Sequence, residues 1–316
     1  MLDLKIKELK NKLDKKSAGV DNFDEVLNSF EKMWDHFDKN VKKSSKNPKI
    51  IYAIGQPGAG KTSLREYLLK RHNMILINGD DYRKFHPKHE KFMENTETYE
   101  IKTRYFKNLL IQLLIAKCLD EKVDFLLENT FLNKKAVEET IKQAKENGFS
   151  IKINVLDVSP VDSWISVNYR MLEMKERKEV IRNVAIDNFV DSYKTIRNII
   201  LQSKGQYTEF SGISNEDIKV ITRDEILKED HKENLIYNYK GFEKLEPKTV
   251  NTIRTLQQKY RVLKVLEEQE EKERKEIKIK PEEKIPTTSE KFKKELKSFK
   301  DMLLEQKVKE RLSLSL

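Results

Sequence analysis

The stretch Ile50-Ile-Tyr-Ala-Ile-Gly-Gln-Pro-Gly-Ala-Gly-Lys-Thr-Ser-Leu-Arg65 decides the fold of this chain. Its first five residues form an apolar run ending in glycine, the mark of a buried strand. Gly55, Gly60, Lys61 and Thr62 then stand at the defining positions of G-x-x-x-x-G-K-[ST], and a helical pattern follows from Thr62 to Arg71. Strand, glycine-rich turn and helix in that order make a P-loop. Glycines let successive backbone N–H groups curl around a phosphate, and the helix adds its positive end. Gly55, Gln56, Pro57, Gly58, Ala59, Gly60, Lys61, Thr62 and Ser63 are therefore the candidate nucleotide-binding residues. Lys61 is placed to bridge the β- and γ-phosphates of ATP (or GTP), and the Thr62 hydroxyl to ligate Mg²⁺.

Working outward, Met74-Ile-Leu-Ile77, Val123–Leu127, Ile151–Val158 and Ile218–Ile221 read as further strands. Helical spacing covers Tyr99–Leu119, Lys134–Asn147, Val161–Met174 and Arg182–Ser203, with Gly148 and Gly205 just past two of the ends. Strands alternating with helices predict an α/β fold, a P-loop NTPase-like parallel sheet flanked by helices on both faces. Residues 1–46 form an N-terminal helical extension, in which Phe23, Val26, Leu27, Phe30, Met33, Trp34 and Phe37 make one apolar stripe. The kinase-like domain runs over 47–240. Beyond it, Glu267–Glu276 is a charge run without an apolar face, and Pro281 and Pro286 precede a last amphipathic stretch from Phe292 to Leu312. Residues 241–316 are read as a charged helical or disordered tail.

Of the 316 residues, 37% are apolar and 37% charged, with a net charge of +10. Acidic residues are interspersed with the basic ones, and no stripe of aromatic and basic residues accompanies the excess, so nucleic acid is not the expected partner. A single cysteine, Cys118, lies in the apolar run Leu109–Leu119 and reads as a buried thiol; one cysteine excludes an intrachain disulfide. The N-terminus carries charge from its third residue and no stretch reaches the apolar length of a membrane span, so a cytoplasmic protein is expected.

The P-loop alone leaves the reaction class open. A GTPase would carry D-x-x-G and N-K-x-D; neither occurs, Asn133-Lys-Lys-Ala136 lacking the aspartate. The second strand instead runs into Asp80-Asp81 at the carboxyl edge of the sheet, where ligands of such folds bind. A small-molecule kinase needs a carboxylate there to take the acceptor hydroxyl's proton, so Asp80 or Asp81 is the candidate base. The alternative role for this pair is capping of the following segment. Glu128, at the corresponding end of the third strand, could hold Mg²⁺ through water or bind the acceptor, and Thr130 lies two residues on. The segment from Arg170 to Arg182 is rich in cations. Both arginines are candidates for neutralising charge on a transferring phosphoryl group.

Together these motifs resemble the zeta toxins, the kinase half of epsilon/zeta-type toxin–antitoxin systems. The P-loop through Arg65 looks like theirs. So do Ile77-Asn-Gly-Asp-Asp-Tyr-Arg-Lys-Phe-His-Pro87, Leu126-Leu-Glu-Asn-Thr130 and Tyr169-Arg-Met171, over roughly residues 20 to 225. In that alignment Asp80 takes the base position, Arg170 the first lid arginine and, with a one-residue shift, Arg182 the second. The resemblance implies an ATP- and Mg²⁺-dependent kinase of the 3′-hydroxyl of UDP-N-acetylglucosamine, and a small helical antitoxin partner. Asp80, Glu128 and Thr130 would face the nucleotide sugar. Three departures fall on the acceptor side: Phe131-Leu132 stand where the family commonly has glycine and arginine, Asn129 replaces a glycine, and Gln112 stands near a substrate-side glutamate. They leave room for another nucleotide sugar or a different hydroxyl compound. The remaining readings are a P-loop kinase of a nucleic-acid end and a non-catalytic nucleotide-binding interaction module.

Overall fold

A computed structural model describes residues 1–177, 179–180, 184–222, 225–226 and, beyond them, 255, 297–298 and 300–302. Five strands, β1 (Lys49–Ile54), β2 (Ile75–Ile77), β3 (Phe125–Asn129), β4 (Ser150–Asp157) and β5 (Ile218–Thr222), form one sheet in the order β2-β3-β1-β4-β5. Every pairing is parallel. Parallel strands are covered on both faces, so they read as unbroken apolar runs rather than alternating ones. β1 fits this: Ile50 through Ile54 are all buried. The fold class expected from the alternating pattern is the one observed.

Alternation along β1 divides the core. Ile50, Tyr52 and Ile54 face one apolar layer together with Phe125, Leu127, Ile153 and Val155. Ile51 and Ala53 face the other, with Leu126 and Leu156. The second layer is closed by α4 (Lys61–Leu69) through Leu64 and Leu68. The first and larger layer is closed by a group of helices. These include α1 (Leu2–Asn11), α3 (Phe23–His36) and α6 (Thr96–Glu121), followed by α7 (Lys134–Glu146) and α9 (Ile186–Ser203). The short α2 (Lys15–Ala18) lies between α1 and α3. On α3 the predicted stripe is the buried one: Phe23, Val26, Phe30 and Met33 pack into this layer, each worth roughly 1.5–3 kcal/mol of burial. Cys118 lies on α6, fully buried, and burial pushes its thiol well above the usual range.

Local chemistry sets the helix ends. Asn22, Asn95 and Asn133 cap α3, α6 and α7 by accepting the N–H groups of Glu25, Thr98 and Ala136. Gly148, at φ +77°, closes the far end of α7 as the sequence suggests. Some elements were not legible. The second strand is only three residues long, and the chain then enters a 3-10 turn, Gly79–Phe85, and a short helix α5 (His89–Met93) before α6. Helix α8 (Pro160–Glu176) follows β4. The described part of the helix predicted from Arg182 begins at Ile186; Arg182 lies outside the described residues, as does nearly all of 241–316. Among the described residues no helix is long and apolar enough to cross a membrane.

The 3-10 turn is fastened at both ends. The Tyr82 hydroxyl donates to the carbonyl of Leu76. His86, 3% exposed, contacts the Ala18 carbonyl through Nε2 at 2.9 Å while its Nδ1 accepts the Lys88 N–H at 2.9 Å. That pair of contacts fixes a neutral ring with its proton on Nε2, and burial holds its pKa below the ordinary histidine value. The N-terminal helices thus anchor the turn that carries Asp80.

Candidate active site

β1 delivers the chain into Gly55–Gly60 at the carboxyl edge of the sheet, and α4 starts at Lys61. Gly60, the N-cap, stands at φ +98° and offers no side chain to the first turn; the Ser63 N–H donates to the Gly60 carbonyl at 3.1 Å, and the amides of Lys61 and Thr62 are left for a ligand. Gly58 stands at φ +80°, and a Cβ on it would meet the backbone oxygen of Ser163 at 2.0 Å. The loop therefore lies directly on the first turns of α8. Gln56 locks this contact: fully buried, its Nε2 donates to the Val158 carbonyl at 2.7 Å and to Ser163 Oγ at 3.0 Å.

The Lys61 ammonium donates to the carbonyls of Gly55 and Gln56, at 2.9 and 3.1 Å, bridging the loop's own backbone. Burial pulls its pKa down from 10.5 to about 8; Glu128 and Asp80 oppose the shift, and Arg170 adds to it. Lys61, Glu128, Asp80 and Arg170, from four different elements, therefore share one electrostatic neighbourhood. Because the protonated amine is the form that attracts phosphate, ATP affinity should hold up to about pH 7.5 and then fall by at most about tenfold per unit above pH 8. The bound phosphates would keep the proton that the empty site sheds, so binding takes up a proton in that window. Calorimetry in buffers of different ionisation enthalpy measures this uptake. Wild-type affinity as flat as that of Lys61→Met to about pH 9.5 would overturn the assignment.

Strand register assembles the acid side. Ala53 of β1 pairs with Glu128 of β3, and Ile77 with Leu127, so Asn78 falls beside Glu128. Asn78 Nδ2 donates to Glu128 Oε2 at 3.4 Å, and Arg65 Nη1 donates to the same oxygen at 3.0 Å. Arg65 also lies 3.6 Å from Asp81 Oδ2. Asn78 fills the capping role considered for the aspartate pair, its side chain accepting the Asp80 N–H at 3.1 Å. The Asp80 carboxylate instead accepts from Arg83 Nε at 3.2 Å. Arg83, 7% exposed, is pinned in turn by the Glu100 carbonyl and Thr103 Oγ1, both at 2.8 Å.

Other predicted residues fall less close. β3 ends at Asn129, whose side chain accepts the Phe131 N–H at 2.8 Å, and Phe131 turns at φ +53° into the core between Tyr52 and Phe210. Phe131 is therefore a packing residue. Thr130 sits at this turn, its carbonyl accepting from Ser192 Oγ at 3.0 Å. Leu132 is exposed, and so is Gln112, which donates to the Asn108 carbonyl. Arg177 forms a surface pair with Glu179. Arg65, Arg83, Asn78 and Gln56's latch were not singled out from sequence. Arg65 had a signal, since it lies four residues after Lys61 and so on the same helix face.

Among the described residues no group of three or more His, Cys, Asp or Glu could hold a metal alone. A magnesium ion carried mainly by phosphate oxygens needs only one or two protein ligands; Thr62, on the first turn of α4, and Glu128, whose Oε2 is held by Arg65 and Asn78, are oxygen donors of the right chemistry for it.

The profile of the zeta toxin family matches residues 34–241. The chain is similar to Toxin PezT of Streptococcus pneumoniae serotype 4, at 24% identity over 55% of this chain and 79% of that protein. It is also similar to Toxin zeta of Enterococcus hirae, at 23% identity over 57% and 65%. A solved structure from the PezAT chromosomal toxin–antitoxin system of Streptococcus pneumoniae superposes with a TM-score of 0.50 and 19% identity, covering 64% of this chain and 79% of that one.

Proposed function

Since this chain belongs to the zeta toxin family, we propose that it is an ATP-dependent kinase that phosphorylates the 3′-hydroxyl of the amino sugar in UDP-N-acetylglucosamine or a related nucleotide sugar, acting as the toxin of a toxin–antitoxin pair. One observation carries the reading: Asp80, in a turn whose N-cap is Asn78, stands just past β2 at the same edge of the parallel sheet where β1 runs into the P-loop. Asp80 takes the proton from the acceptor hydroxyl. The freed oxygen bonds to the γ-phosphorus of ATP, the bond from that phosphorus to the bridging oxygen breaks, and ADP leaves. Lys61 and Arg170 neutralise charge on the transferring group, and Arg182 joins them as the second lid arginine. Thr62, and Glu128 through a water, would hold Mg²⁺, which draws charge from the phosphate oxygens when bound. Glu128 and Thr130 orient the acceptor. The partner that restrains this activity is a small helical antitoxin, in keeping with the toxin–antitoxin system named for the similar structure.

The test is direct. Purified protein, ATP, Mg²⁺ and UDP-N-acetylglucosamine are incubated and the sugar nucleotide is weighed by mass spectrometry. One added phosphate is expected. An unchanged sugar nucleotide with ATP consumption stimulated by RNA ends would replace this reading with a nucleic-acid-end kinase. ATP untouched in every mixture would replace it with a non-catalytic binding module.

A further inference from the structure

Glu100, Thr103, Lys107 and Ile111 recur along α6 at the spacing of one helix face. That face meets the turn bearing the candidate base. Ile111 Cδ1, Lys107 Cδ and Lys107 Nζ lie 2.7, 2.9 and 3.2 Å from where a Cβ on Gly79 would stand. Gly79 is thus the residue that lets α6 press a lysine against the backbone one position before Asp80.

The two cations at this contact are in different situations. Arg83 is committed, with Asp80, the Glu100 carbonyl and Thr103 accepting from it and the Glu100 carboxylate 3.6 Å away. Lys107 Nζ makes no hydrogen bond or ion pair among the described residues. It feels Asp80 and Glu100 at longer range, against Arg83 and Arg104, and burial holds its pKa below the ordinary lysine value. A partly buried ammonium without a direct counter-charge carries a desolvation cost that an anion placed beside it would offset. Lys107 belongs to α6 and packs on the Asp80 turn, whereas the P-loop that would gather a triphosphate lies between β1 and α4, so the anion assigned to Lys107 is one that arrives with the acceptor.

We propose that Lys107 Nζ contacts the diphosphate of the acceptor, and so selects phosphorylated over neutral sugars. This rests on the sugar-nucleotide kinase reading above and adds to it a residue that distinguishes acceptors. Holding the anionic arm of the acceptor beside Gly79 leaves its sugar hydroxyl next to Asp80, so the contact also orients the reacting group.

Two acceptors separate the possibilities: UDP-N-acetylglucosamine and free N-acetylglucosamine, each assayed with saturating ATP. Lys107→Met keeps the stem that packs on Gly79 and removes the charge. It should raise KM for the sugar nucleotide by about 10–100-fold, the usual weight of one charge-assisted contact. Its KM for ATP should match wild type, the loss of kcat/KM on the sugar nucleotide should exceed any loss on the free sugar at least about tenfold, and Lys107→Arg should recover most of it. A wild-type KM for UDP-N-acetylglucosamine in Lys107→Met, or an equal loss on both acceptors, overturns the inference. If the wild type phosphorylates neither acceptor, the kinase reading fails by itself. UDP binding to protein saturated with a non-hydrolysable ATP analogue then decides for Lys107. About tenfold weaker binding to Lys107→Met supports it, and equal binding overturns it.

Discussion

Asp80→Asn is expected to slow phosphoryl transfer by about 10²–10⁴-fold, the range of a lost general base, with ATP affinity at neutral pH largely kept. The substitution is nearly isosteric, and Asn Oδ1 can still accept from Arg83 Nε, so the 3-10 turn should persist. What disappears is the ability to take a proton. Two carboxylates stand side by side here, so Asp81→Asn is the necessary control. Asp81 is 45% exposed and lies 3.6 Å from Arg65, on the Glu128 side of the turn. It should lose only a few-fold in rate, the scale of a weak, solvent-screened pair. Single-turnover transfer, with nucleotide binding measured separately, reads both variants. A larger loss in Asp81→Asn than in Asp80→Asn would move the base by one residue; a fully active Asp80→Asn would remove it.

The second large effect belongs to Gly58, a variable position of the P-loop motif. Alanine there must place a Cβ 2.0 Å from the Ser163 oxygen while holding φ near +80°. A left-handed conformation alone costs about 1–2 kcal/mol for a residue with a side chain. The clash with backbone adds to this, because a main-chain carbonyl cannot rotate away as a flexible side chain can. Total destabilisation of about 2–4 kcal/mol is expected if the loop stays docked on α8. If the loop lifts instead, the Gln56 latch to Val158 and Ser163 opens and nucleotide affinity falls while stability is kept. Urea unfolding and ATP titration on the same variant separate the two routes. Wild-type values in both would show that the loop does not rest on α8.

The difference between Gly58 and Gly60 shows what was legible. Gly60 belongs to the motif and its role follows from phosphate chemistry. Gly58 is required by a helix more than a hundred residues later, which no local pattern announces. The same holds across the site. Strands and helices followed from apolar periodicity, and Asp80 from its position beyond a strand. The order β2-β3-β1-β4-β5, which puts Glu128 beside Ala53 and Asn78 beside Glu128, depends on how crossovers pack and is not written in any segment. The Arg65–Glu128 contact spans 63 positions and Gln56–Ser163 spans 107. Phe131 shows the reverse. The resemblance to the family marks it as a missing polar contact, whereas in the structure it fills the core between Tyr52 and Phe210. Asp80 lies just beyond a strand, as the apolar run before it implies, but the short 3-10 turn that sets its surroundings, with Asn78 as the cap, has no such local signal.

The sealed thiol of Cys118 makes the chain its own reporter. With no other cysteine, any reagent that modifies thiols can label the molecule at one place only, and there only after α6 has come away from the layer above it. The labelling rate therefore counts excursions of the domain from its closed state. A ligand that binds only the closed form slows those excursions by a factor of about 1 + [L]/Kd. ATP and each proposed acceptor or partner can then be tested one at a time for binding to the native protein, with no turnover and no substitution.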